Sequence, residues 1–144
     1  MKRFRFRFTA VLDQRQVILD QKLALKAEVL AERDRVLQER AHLEAMYQQT
    51  LVGGAKVGEI FNAQAETWRQ LRLFSLREEM TLKERELEKI DERLDEIQRE
   101  VTEAHRNLKA MEIIKDKDFK KWKHKFNIHQ QKETDEINTT RFSR

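Results

Sequence analysis

Only three residues in this 144-residue chain relax the backbone as glycine does: Gly53, Gly54 and Gly58, all within six residues of one another. Proline is absent. A compact fold of this size needs several turns, and turns normally recruit Gly and Pro. One cluster of breakers leaves one place to reverse direction. Two long helices joined there fit that distribution, and a chain that is 39% charged and 39% hydrophobic, rich in Ala, Glu, Lys, Leu and Arg, agrees. Gly53 and Gly54 can take left-handed backbone angles without a side-chain clash, which suits a helix C-terminus and turn. A short extra helical turn around residues 59–65 also fits.

The predicted architecture is therefore all-α: an antiparallel two-helix coiled-coil hairpin with a C-terminal helical overhang, in a single domain. Helix 1 is expected over about 4–50, the turn over 51–62 and helix 2 over 63–138. In helix 1 apolar residues come in adjacent pairs (Val11/Leu12, Ile18/Leu19, Leu23/Leu25, Val29/Leu30, Val36/Leu37), a stripe wider than a strict coiled-coil seam. Helix 2 carries a cleaner signal. Leu87, Ile90, Leu94, Ile97, Val101, Ala104, Leu108 and Met111 alternate at spacings of three and four, four heptads without a polar interruption. A short loop makes the pairing antiparallel. A turn centred near residue 56 sets Phe8 opposite about residue 104, leaving roughly 25–30 residues, about 40 Å of helix, as overhang.

Charge is segregated. Residues 78–103 hold eleven Asp/Glu against five Lys/Arg, whereas 115–132 hold seven Lys against Asp116 and Asp118. Lys2, Arg3, Arg5 and Arg7 are carried by hairpin geometry towards that basic run. Phe119, Trp122 and Phe126 sit inside it, at spacings of three and four. Two readings stand: a docking surface with Lys120, Lys121 and Lys123 around it, or local packing against Phe4, Phe6 and Phe8. The alternation from Phe4 to Phe8 reads as an extended arm or a first helical turn, since a lone strand has nothing to pair with.

Chemistry is hard to house here. The glycines precede no phosphate-binding GK[ST] sequence, Ser75 and Ser143 lack a nucleophile-elbow setting, and HExxH is absent. His42, His105, His124 and His129 read as surface residues. Carboxylates on so thin a structure stay in water, without the burial that tunes an acid or base. No catalytic, metal or cofactor site is expected. Without cysteine there are no disulfides. No apolar run approaches the roughly 20 residues that span a bilayer, so the chain reads as soluble and cytoplasmic, without membrane insertion. Basic zipper helices precede their heptads when they enter DNA; here the basic segment follows them, so no specific nucleic-acid role is expected.

The ends of the chain carry a resemblance. RFRFTAVLDQR (residues 5–15) resembles the opening of the FliJ family of flagellar export proteins, and DFKKWKHKFNIHQQKETDEINTTR (residues 118–141), above all QQKETDEI, looks like that family's charged close. The related stalk proteins of injectisomes share the architecture. The resemblance implies a non-enzymatic stalk in type III export, lying peripherally at the inner-membrane apparatus. Its partners would be the hexameric export ATPase, the membrane export-gate protein and export chaperones. It also implies an ATPase-docking end, matched here by Phe4, Phe6, Phe8, Phe119, Lys120, Lys121, Trp122, Lys123 and Phe126. A gate-binding face early in helix 2 is matched by Trp68, Leu71, Phe74 and Met80, which equally fit the seam against helix 1. A generic scaffolding coiled coil, self-associating through Leu87 to Met111, is the reading from another class.

Overall fold

A computed structural model describes residues 2–143. Two α-helices account for most of them: α1, Thr9–Val52, and α2, Ala63–Phe142. No strand occurs among the described residues. The chain divides into two compact units that share these helices. One runs from Leu23 to Arg99; the other combines the residues up to Lys22 with those from Glu100 onward.

In the unit Leu23–Arg99 the helices pair antiparallel around a seam of Val29, Val36, Leu73, Leu76, Met80, Ile90 and Ile97, all buried. Leu87 and Leu94 are half-buried between them. The side chains of Val36 and Leu76 are fully covered, each such burial stabilising by about 1.5–3 kcal/mol. Between the aliphatic layers, α1 offers cations. Lys26, Arg33 and Arg40 recur at inner positions, half-buried, laying their methylene stems on the seam while their charged heads reach out. Arg33 Nε meets Asp91 Oδ1 at 2.7 Å, Arg40 Nη2 meets Glu84 Oε1 at 2.8 Å, and Lys26 Nζ donates to Gln98 Oε1 at 2.7 Å. From α2, Lys83 reaches Glu39 at 2.6 Å and Arg93 reaches Glu32 at 3.4 Å. The acidic stretch of α2 is thus the complement of α1.

The second unit repeats this scheme. Leu19 of α1 and Val101, Ala104, Leu108 and Met111 of α2 are buried. Lys22 pairs with Glu100 at 2.8 Å, and Arg15 Nη1 donates to the Asn107 carbonyl at 2.8 Å. Residues 2–8 are not helical, so α1 starts later than the periodicity predicts. They form an arm along α2, with Phe6 buried and the Trp122 indole donating to the Lys2 carbonyl at 3.2 Å.

These contacts correct the expected register. Arg15 meets Asn107 and Lys2 meets Trp122, so Phe8 lies level with α2 between those partners and not at residue 104. Within Leu23–Arg99 the pairing departs from the expectation in the same sense. Tyr47 meets Arg77, whereas α2 already begins at Ala63, so α2 extends about two turns beyond the C-terminus of α1. The overhang changes as well. The arm meets α2 as far as Trp122, through the Phe4 ring and the Lys2 carbonyl, further along α2 than a turn centred near residue 56 would bring it. From there to Phe142, α2 carries no buried side chain.

Candidate partner-binding surfaces

The reversal is a capped joint. Asn62 opens α2: its Oδ1 accepts from the backbone of Gln64 at 3.1 Å and of Ala65 at 3.2 Å, which satisfies two of the free N–H groups of a first turn. Glu66 follows, with Arg69 one turn later. Arg69 grips Glu66 through Nε and Nη2 at 2.9 and 2.6 Å, and its Nη1 donates to the Leu51 carbonyl at 3.2 Å. One guanidinium therefore ties the Leu51 carbonyl, in the last turn of α1, to the first turn of α2. Hydrogen bonds from Arg69, and then from Gln70, hold the Glu66 carboxyl down at about 2, and the same pair raises Arg69.

The glycines divide the work differently from the expectation. Only Gly58 takes a left-handed angle, with φ of 93°. Gly54 is needed for space, because a Cβ there would sit 3.1 Å from the Arg69 guanidinium carbon. No extra helical turn forms before Ala63; residues 55–62 instead carry a tight turn closed by Glu59 N–H donating to the Lys56 carbonyl at 3.0 Å.

Beyond this joint lies an uncovered apolar surface. Val57 and Ile60 are essentially fully exposed, and Phe61 largely so. On α2 itself Trp68, Leu71 and Phe74 are 66%, 55% and 63% exposed, with Leu82 next to them in phase and also exposed. At 100° per residue this stripe points roughly opposite to Leu73, Leu76 and Met80. Trp68, Leu71 and Phe74 are therefore not seam residues. Met80 is: at 9% exposure it packs against α1 and is unavailable to a partner. The connection residues Val57, Ile60 and Phe61, and Leu82, escaped the sequence reading. The only sign of Val57, Ile60 and Phe61 was bulky apolar residues in a segment expected to be a turn; Leu82 gave no sign of its own.

The arm and the basic run form the other surface. Phe4 lies 5.2 Å from Phe119, edge to face, and 5.8 Å from Trp122. Phe119, Trp122 and Phe126 stack in turn, at 5.8 and 5.2 Å between centroids. Phe6 contacts Phe8 at 5.9 Å, and the Arg7 guanidinium covers Phe8 at 4.6 Å. The rings predicted as a docking surface thus first pack on one another, each pair adding about 0.5–1.5 kcal/mol beyond its burial. Phe119 and Phe8 keep exposed edges, and Phe4, Trp122 and Phe126 are half-buried. Lys120 pairs with Asp116 at 2.7 Å, while Lys121 and Lys123 are exposed and enter no ion pair among the described residues. Cations on both the arm and the helix leave this cluster strongly positive.

No group of residues suited to a metal ion occurs among the described residues, and no helix there is long and apolar enough to cross a membrane. In comparison with known families, the profile described as Flagellar FliJ protein matches residues 4–144. No curated protein and no solved structure matches the chain.

Proposed function

We propose a role for this chain on one premise: it belongs to the flagellar FliJ protein family. Membership ties it to flagellar protein export in general. On our reading it is a non-enzymatic coupling component, peripheral to the cytoplasmic face of the export apparatus, that links the hexameric export ATPase to the membrane export gate and helps deliver substrates or their chaperones.

The observation that carries this reading is the outward stripe of Trp68, Leu71 and Phe74. α2 has already satisfied its seam with Leu73, Leu76 and Met80, so aromatic side chains on its far face serve no purpose in the fold, and exposed apolar patches of this kind mark binding sites. We assign the gate contact to Trp68, Leu71 and Phe74, without Met80. The ATPase contact falls to the rim of the aromatic cluster, with Lys120, Lys121 and Lys123 facing an acidic partner.

Binding of the Trp68→Ala/Phe74→Ala double variant to the isolated cytoplasmic part of the gate protein is the test. Affinity should drop at least tenfold with helix content unchanged; undiminished binding removes the gate assignment. For the ATPase, reversing Lys120, Lys121 and Lys123 to Glu should weaken association, most at low salt. Equal loss at all salt concentrations would contradict an electrostatic contact.

A further inference from the structure

The outward stripe of α2 has a repeat of its own. Trp68, Leu71, Ser75, Glu78, Leu82 and Arg85 follow one another at alternating spacings of three and four, and all are exposed. Three of the six, Trp68, Leu71 and Leu82, are apolar, so the face turned away from α1 carries a mixed apolar and charged stripe at heptad spacing. Its flanks carry Arg72 on one turn and Glu79 two turns later. Arg72, Glu78 and Arg85 enter no ion pair among the described residues, and Glu79 has only a 3.4 Å contact from the Ser75 hydroxyl. We propose that this stripe pairs with the same stripe of a second copy of the chain, the two α2 helices running antiparallel.

Complementarity selects this occupant. In an antiparallel pair, layers join one residue of each seam with another from the opposite end of the partner's stripe. Leu71 then meets Leu82 of the second copy, Ser75 meets Glu78, and the Trp68 ring meets the Arg85 guanidinium, an arrangement that attracts a cation to an aromatic face. Arg72 flanks Glu79 of the other copy. Twofold symmetry makes each contact twice, as a self-complementary interface requires. A parallel pair would instead set Glu78 against Glu78 and Arg85 against Arg85 across the seam, and would not bring Arg72 to Glu79. One stripe of about five turns is a small interface, so association on the order of micromolar is expected. The stripe shares Trp68 and Leu71 with the surface read above as gate-binding, so a paired chain has that surface covered. The inference needs no gate for its test, and either reading can fail without the other.

Sedimentation of the full chain across micromolar concentrations should show mass rising from 17.4 kDa towards twice that value. Arg72→Glu and Glu79→Arg should each weaken self-association about tenfold, and the double exchange should restore it; failure of the double variant to recover overturns the pairing. The chain has no cysteine, so introduced thiols report alone. Leu71→Cys mixed with Leu82→Cys should cross-link through a short bifunctional reagent, whereas Leu71→Cys alone should not. Cross-linking of Leu71→Cys with itself, or a mass fixed at that of one chain, rejects the proposal.

Discussion

Leu71 and Leu76 are five positions apart on one helix, yet one is half in water and the other fully covered. Their difference is phase against α1, and it sets the outcome of mutation. Leu76→Ala leaves a cavity among Val36 and its neighbours and should cost about 2–5 kcal/mol, whereas Leu71→Ala should stay within about 0.5 kcal/mol; urea denaturation of both variants makes the comparison. Glu66 sets a pH dependence at the joint. Its folded-state pKa lies below the ordinary 4.5, at about 2, so folding favours the carboxylate. The contribution is complete above 4.5 and is lost as pH falls towards 2. The stability difference between the native chain and Glu66→Gln should therefore shrink across that window. A constant difference would show that the Arg69 contact is not electrostatic in origin. Glu39, held down by the Lys83 ammonium, adds loss of the same sign.

At the scale of elements, the seam of α2 was plain in the sequence and that of α1 was not. Leu87 to Met111 are apolar at every inner position, so periodicity alone exposes them. In α1 the inner positions alternate between Leu19, Val29 or Val36 and Arg15, Lys22, Lys26, Arg33 or Arg40. Each aliphatic also has an apolar neighbour that faces out, so the stripe looks broad and its true phase is hidden. The same cations account for the acidic run of α2, which by itself reads only as a solvated face. The arm was legible as extended or helical but not as a cover, because seating Phe4 against Phe119 is a contact 115 residues apart in the chain that no local periodicity announces. Phe4→Ala should free it. In a Trp68→Phe background, the emission of Trp122 should then shift to the red and become more open to acrylamide, with little change in helicity, since residues 2–8 are not helical. Unchanged emission would mean that the ring of Phe4 contributes nothing to the seat.

Along α1, covered aliphatic side chains are distributed unevenly. Val29 and Val36 are 1% exposed or less, whereas between Thr9 and Lys22 only Leu19 is buried, although Val101, Ala104, Leu108 and Met111 of α2 are buried in the same unit. Opening free energy follows such burial. Amide exchange should accordingly be slowest within 29–36 and 73–97, faster within 9–18, and close to that of free helix beyond residue 127; uniform protection would contradict this gradient. The exposed apolar stripe was half legible. The family resemblance points to Trp68, Leu71, Phe74 and Met80, but which of them face out depends on the phase of α2 against α1, which three glycines alone do not specify. The alternation of cations and aliphatics along α1 also matters while the chain is being made. α1 leaves the ribosome before any acidic stretch of α2 exists, and neighbouring nascent chains offer it other copies of α1. Paired in parallel and in register, those copies would set like charges together at Arg15, Lys22, Lys26, Arg33 and Arg40, which opposes such mispairing until the helix's own carboxylate partners emerge.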